Sequence, residues 1–234
     1  MRAPRLLAWS LLANLLLGLL AGIWLARKAG LSDRFGRPRV TPPVARADHF
    51  RELARGGAKA GVVVLGDSLT QRAEWWELLG RPIANRGIDD DTVALVRARL
   101  GEVVELQPRV LFLLVGVNDL FKGTSPERLA EEHAALLRQI RASLPGCRLI
   151  VEALLPVREA MLDRFSERLT NATIARANAL LKDGARATGA DWLEAGSRLA
   201  DASGQLDARY TSDGLHLSGA GYRQWAEALR PYLP

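Results

Sequence analysis

Gly61-Val62-Val63-Val64-Leu65-Gly66-Asp67-Ser68-Leu69-Thr70 is the stretch on which the reading of this chain turns. An apolar run of strand length breaks at a glycine into Asp-Ser, and a helical pattern follows. The run has polar residues only at its end, as a strand covered on both faces requires. Val110-Leu111-Phe112-Leu113-Leu114-Val115 repeats the same character without one polar position. Further strands are expected at Pro82–Asn85, Arg148–Ala153 and Asp191–Leu193.

Between the strands lie amphipathic segments. In Pro126–Leu144, Leu129, Leu136, Leu137, Ile140 and Leu144 form one stripe. Ser125 is placed as its N-cap, Pro126 at its first position and Pro145-Gly146 at its end. Helices are also expected at Thr92–Leu100, Ala172–Thr188 and Ser218–Leu229. Strands alternating with helices define an α/β domain built on a parallel sheet, here spanning residues 60–234.

The N-terminal part differs. Leu6–Ala26 is 21 residues without a charge, long enough as a helix to cross a bilayer core of about 30 Å. Trp9 and Trp24 stand near its ends. Residues 1–28 are therefore read as a membrane anchor, with a cleaved signal peptide as the alternative. Counting basic residues on either side places the body in the cytoplasm. The short basic tail before the apolar segment points to a signal-anchor with an extracytoplasmic, periplasmic body, which is the reading adopted. Residues 29–59 read as a basic, Pro- and Gly-containing tether with a short helix near Ala47–Arg55.

Net charge narrows the function. The whole chain carries +6, but residues 1–60 hold 11 Lys+Arg against 3 Asp+Glu, and residues 61–234 hold 21 against 23. The domain is thus slightly acidic, which argues against a nucleic-acid-binding face. The lone cysteine, Cys147, has no intrachain partner and is expected to pack in a strand. Neither a zinc-binding motif nor a phosphate-binding glycine loop is present, so no metal or cofactor is expected.

Polar residues cluster after strands, where open parallel sheets place their sites. Ser68 follows the first strand. Asn85-Arg86-Gly87-Ile88 follows the second and Gly116-Val117-Asn118-Asp119 the third. Near the C-terminus, Asp213-Gly214-Leu215-His216 sets an acid and a histidine three residues apart. A serine hydroxyl becomes a useful nucleophile when a base takes its proton and a carboxylate orients that base. Among the three histidines, His49 lies in the tether and His133 within a helix, which leaves His216 as the base.

These blocks, in this order and spacing, resemble the GDSL/SGNH hydrolase superfamily, and their wording is most similar to bacterial platelet-activating-factor acetylhydrolase-like and lysophospholipase-like esterases. The resemblance spans about residues 60–233. It implies a three-layer α/β/α, flavodoxin-like fold. It also implies catalysis by Ser68, His216 and Asp213, with an oxyanion hole formed by the backbone N–H groups of Ser68 and Gly87 and the side chain of Asn118. The expected activity is hydrolysis of a short-acyl or lysophospholipid-like ester through an acyl-serine. A carbohydrate O-acetylesterase or acetyltransferase, a thioesterase, and a non-catalytic envelope binding module are the alternatives.

One block departs from its relatives. Many of them carry a small residue and glycine between the isoleucine and an Asp-Thr pair, where this chain has Asp89-Asp90-Asp91-Thr92. The rim of the site is expected to be acidic there, and the three carboxylates are read as a capping cluster or a cation site. Trp75 and Trp76 are read as either pocket lining or packing, and Met161, Leu162 and Phe165 as candidates to border the substrate.

Overall fold

The computed structural model describes residues 41–162 and 169–234. The apolar stretch Leu6–Ala26 lies outside them; among the described residues no helix is long and apolar enough to cross a membrane. Elements follow in the order α1 (Pro42–Arg55), β1 (Val62–Gly66), α2 (Ser68–Gln71), α3 (Trp75–Leu79), β2 (Ala84–Gly87), α4 (Val93–Ala98), α5 (Leu100–Leu106) and β3 (Val110–Leu114). Then come α6 (Val117–Phe121), α7 (Pro126–Ser143), β4 (Arg148–Glu152), α8 (Asn171–Ala187), β5 (Asp191–Leu193) and α9 (Gly219–Leu229).

The five strands are all parallel, in the order β2-β1-β3-β4-β5. The chain therefore reverses its direction of winding at β1, and the carboxyl ends of β1 and β3 flank a crevice. Helices cover the sheet in a three-layer arrangement. Val63, Val64, Leu65 and Leu111–Leu113 are wholly buried, as their unbroken apolar sequence requires.

Every expected strand is present. β1 and β2 end one and two residues later than their apolar runs suggest, because ladder pairing carries on to Gly66 opposite Gly87. The long helices α7, α8 and α9 match their patterns closely, with Ser125, Thr170 and Ser218 each accepting a capping hydrogen bond. The helix expected over Thr92–Leu100 is instead two, α4 and α5, meeting at Arg99.

The end of the expected tether belongs to the globular body, since Pro42–Pro234 forms one compact unit. On α1, Phe50 and Ala54 are buried. The Arg86 guanidinium lies 4.4 Å from the centre of the Phe50 ring, and Arg46 Nε donates to Gly87 O at 2.7 Å. Two buried apolar residues a turn apart form the face by which the helix docks, and its arginines lie outside that pair. Cys147 is buried just before β4 rather than within it, and burial pushes its thiol up to about 11.

Glu152 closes β4 in an apolar setting. Trp225 Nε1–H donates to its Oε2 at 2.6 Å, and Oε1 has no partner among the described residues. Burial pushes the carboxyl up to about 8 despite that hydrogen bond. The folded state therefore keeps a proton that the unfolded chain releases above about pH 4.3. The resulting stabilisation is complete below that pH and is lost as pH rises through the folded value. Glu152→Gln removes the titration at nearly constant shape. Its melting temperature should fall less than that of the parent between about pH 5 and pH 9; parallel curves would mean that Glu152 is ionised in the fold.

Candidate active site

Ser68 opens α2 directly beyond β1. Asp67 caps this single turn, its Oδ1 accepting from Leu69 N at 3.0 Å. Asn85 secures the far end: its Nδ2 donates to the carbonyl oxygens of Thr70, Gln71 and Ala73 at 3.0–3.1 Å. Tyr222 on α9 adds a hydrogen bond from its hydroxyl to Leu69 O at 2.9 Å. The nucleophile turn is thus gripped by β2 and by the C-terminal helix, although Ser68 is an ordinary serine locally.

The acid and base arrive on a closed loop. Thr211 pairs with Leu217 in an antiparallel bridge, and Ser218 N donates to Tyr210 O at 2.7 Å. Within the loop, Gly214 has φ of 87°, a left-handed conformation that favours glycine. A β-carbon there would stand 2.7 Å from Arg158 O. This turn brings Asp213 beneath its own neighbour: Oδ1 accepts from the backbone N–H groups of Leu215 and His216 at 2.9 and 2.8 Å.

The three side chains form one relay. Ser68 Oγ lies 3.0 Å from His216 Nε2, and His216 Nδ1 lies 2.7 Å from Asp213 Oδ2. Partial burial acts to raise the Asp213 carboxyl, but hydrogen bonds from His216 and the two backbone donors outweigh it and hold the group at about 2. It is therefore ionised at neutral pH and accepts Nδ1–H, leaving Nε2 free to receive the serine proton. Serine and histidine stand 148 residues apart in sequence and meet across the crevice.

Gly87 does not stand where the sequence reading places it. Its N–H is taken by Asn85 Oδ1 at 2.9 Å, and it does not line the cleft that holds Ser68. Its lack of a side chain serves packing, since a β-carbon would lie 2.2 Å from Gln71 N and 2.6 Å from Gln71 Cα. A residue that does border the cleft with its backbone donor unspent is Asp90. It lines the cleft with Ser68 and Asn118, and its N–H has no partner among the described residues. Its φ is 65°, uncommon for a residue with a side chain although Asp tolerates it better than most. The departure noted at Asp89-Asp90 was the signal: relatives place glycine in that stretch, where the backbone is left-handed. Gly87→Ala is accordingly expected to cost stability, by about 1–3 kcal/mol or more through overpacking. Urea unfolding checks this, and an unchanged midpoint would mean that α2 yields to the methyl group.

Asn118, at the start of α6, faces the same cleft. Its Nδ2 gives one hydrogen to Asp91 O at 2.9 Å, and an amide nitrogen has a second to offer. Ser68 N–H, at the first position of α2, is likewise without a partner among the described residues.

The cleft measures about 440 Å³ and is bordered by Phe121, Met161 and Leu162 as well as by charged groups. Phe165 lies outside the described residues. Trp75 is buried and packs edge-on against Trp225 with ring centres 4.9 Å apart; neither it nor the exposed Trp76 lines the cleft. The rim is mixed rather than acidic. Arg72 sits 3.6 Å from Asp89, and Lys122 Nζ donates to Asp90 O at 3.1 Å. Both cations come from other loops, so Asp89-Asp90-Asp91 alone did not reveal them. Helix α4 is capped by Thr92, with Asp119 Oδ2 accepting from Val93 N at 3.1 Å, and not by Asp89, Asp90 or Asp91. Asp91 is spent on Arg99, and among the described residues no group of His, Cys, Asp and Glu is arranged to hold a metal ion.

His133, set aside as a base, is 2% exposed within α7, and burial alone pushes it down to about 4. It packs in the core rather than on the helix surface.

A serine, an imidazole and a carboxylate in sequence beside unspent N–H donors, at the carboxyl ends of a parallel sheet, define a serine hydrolase of the α/β type. The chain belongs to the GDSL-like lipase/acylhydrolase family, whose model matches residues 64–224, and is an ester-hydrolysing enzyme. Among solved structures it is similar to a Streptococcus pneumonia protein provisionally described as a platelet activating factor, at 25% identity and a TM-score of 0.77, covering 92% of this chain and 99% of that one. It is also similar to a GDSL-like lipase of Bacteroides thetaiotaomicron, at 18% identity and a TM-score of 0.68, covering 80% of this chain and 97% of that one. An acetyl xylan esterase matches at 18% identity and a TM-score of 0.62, over 74% of this chain and 99% of that one. The last two likenesses bear on the fold alone. No match is found among curated protein sequences.

Proposed function

We propose that this protein hydrolyses short-acyl carboxylic esters through an acyl-serine, with Ser68 as nucleophile, His216 as general base and then acid, and Asp213 as the group that orients and stabilises the imidazolium. Ser68 Oγ attacks the ester carbonyl while Nε2 takes its proton. The same proton passes to the departing alcohol, and a water activated by His216 releases the acid. Charge growing on the carbonyl oxygen meets the backbone N–H groups of Ser68 and Asp90 and the free amide hydrogen of Asn118. Each such donor is worth about 2.7–4 kcal/mol of barrier.

The observation that carries this reading is the unbroken Asp213–His216–Ser68 chain at 2.7 and 3.0 Å. A cleft of about 440 Å³ with apolar and charged walls supports a small ester rather than a polymer segment buried whole. A binding module with no catalytic role would have no need for that alignment. We place the enzyme at a membrane through Leu6–Ala26, with its catalytic domain outside the cytoplasm, on the sequence argument above.

The test is a panel of p-nitrophenyl esters of graded chain length, run on the full chain. Hydrolysis is expected to be fastest with acetate to butyrate and to fall with longer chains. A maximum at dodecanoate or beyond would replace the short-acyl reading with a lipase one. A reporter fused to the C-terminus reads sidedness, and a cytoplasmic signal would reverse the proposed orientation.

A further inference from the structure

Arg99 is buried below the catalytic cleft, with a side chain 7% exposed. It stands at the break between α4 and α5, with φ of −106° and ψ of 11°. Every nitrogen of its guanidinium is engaged. Nε donates to Asp91 Oδ2 at 2.7 Å and Nη1 to Glu102 Oε1 at 2.6 Å. Nη2 donates to Gly66 O at 3.2 Å and to Arg86 O at 2.8 Å. No other side chain presents donors in a rigid plane to four acceptors at once; an ammonium offers three, on a flexible stem.

Three of the four acceptors have one thing in common. Gly66 O precedes Asp67-Ser68, so it marks where the nucleophile turn leaves β1. Arg86 O marks where the next loop leaves β2. Asp91 ends that loop, and its own carbonyl holds the Asn118 amide at 2.9 Å. Asp90 lies between Arg86 and Asp91, its backbone forced into the left-handed region between two residues that one guanidinium ties down. The three donors assigned above to the oxyanion hole thus hang from one buried cation that touches none of the reacting atoms.

We propose that Arg99 is a positioning residue for the oxyanion hole, acting through Asp91 to aim the Asn118 amide and through the Arg86 and Asp91 anchors to hold the Asp90 N–H toward the cleft. This inference rests on the reading of Asn118 and Asp90 as oxyanion donors. Its consequence is kinetic. Transition-state charge is stabilised only by donors already in place, and a displacement of about an ångström costs on the order of 10²-fold. Loosening Arg99 should therefore lower kcat and leave KM nearly unchanged. A purely structural residue would lower the amount of active enzyme without changing turnover per active serine.

The test is a double-mutant cycle on the full chain between Arg99→Lys and Asn118→Ala. Rates are divided by the serine titrated to completion with a fluorophosphonate. Arg99→Lys is expected to lower kcat at least ~10-fold with KM within about 2-fold. Asn118→Ala should lower kcat ~10²-fold. The double variant should lose clearly less than the product of the two single losses, since the part of the Arg99 effect that runs through Asn118 is already gone while the part that runs through Asp90 persists. Independent, multiplying losses would overturn the positioning role while leaving the oxyanion reading intact. An unchanged kcat in Asn118→Ala would overturn the oxyanion reading itself, and the inference with it. Should Arg99→Lys fail to fold, Asp91→Asn breaks the same link and keeps the carbonyl that Asn118 uses, so the cycle is read on that variant with the same outcomes.

Discussion

Ser68→Ala should lose at least ~10³-fold in kcat/KM on every ester the protein turns over. Among the described residues the hydroxyl is the nucleophile in the cleft that meets the imidazole, lying 3.0 Å from His216 Nε2. Among the described residues that line the cleft there is no second serine, cysteine or threonine. Folding should hardly change, because the lost hydroxyl leaves behind an imidazole that still reaches water, with 21% of its side chain exposed. Activity and melting temperature measured on one preparation separate the two effects. Near-full turnover in a correctly folded variant would end the acyl-serine mechanism.

His216→Ala should be of similar size, at least ~10³-fold, and should not add to the first. A serine hydroxyl without its base is hardly more nucleophilic than water, so once the imidazole is gone the hydroxyl has little left to contribute. The double variant Ser68→Ala/His216→Ala is therefore expected within about 3-fold of either single variant, as parts of one relay are strongly non-additive. Losses that multiply would mean that the two residues act separately, and that their short contact is incidental. Asp213 belongs to the same relay. It is held in its charged form by hydrogen bonds, and with half of its side chain exposed it also reaches solvent, so its removal should cost less than either partner's.

Much of the architecture was legible from residue order because it follows from burial. Val110–Val115 has no polar side chain, as suits a strand covered on both faces. Leu129, Leu136, Leu137 and Ile140 recur at helical spacing, and all four are buried. The ends of elements were less legible. β2 runs to Gly87 because Gly66 is its ladder partner, a property of two strands rather than one. The break at Arg99 was invisible for the same reason. Its cause is a set of acceptors on β1, β2 and α5.

The site divides in the same way. Ser68, Asp213, His216 and Asn118, each singled out by its local block, are brought to one cleft by the fold. The role of Gly87 is not decided by its block, because a glycine is silent about why it lacks a side chain. It could free an N–H for a ligand or make room for a neighbour, and here Gln71 occupies the room. Asp90 is harder to read from sequence because the role proposed for it belongs to a backbone N–H, which no side chain advertises, and its positive φ is a conformational fact.

Local chemistry and periodicity settle which residues of this chain are buried, which elements they build and which functional groups it has to work with, because a residue's hydrophobicity and a motif's spacing travel with the sequence. Long-range packing settles where those groups stop: the 3.0 Å between a hydroxyl and an imidazole, the cations that neutralise an acidic rim, and the guanidinium that anchors three loops at once. These depend on segments from distant parts of the chain closing on a shared crevice, and no window of neighbouring residues contains that distance.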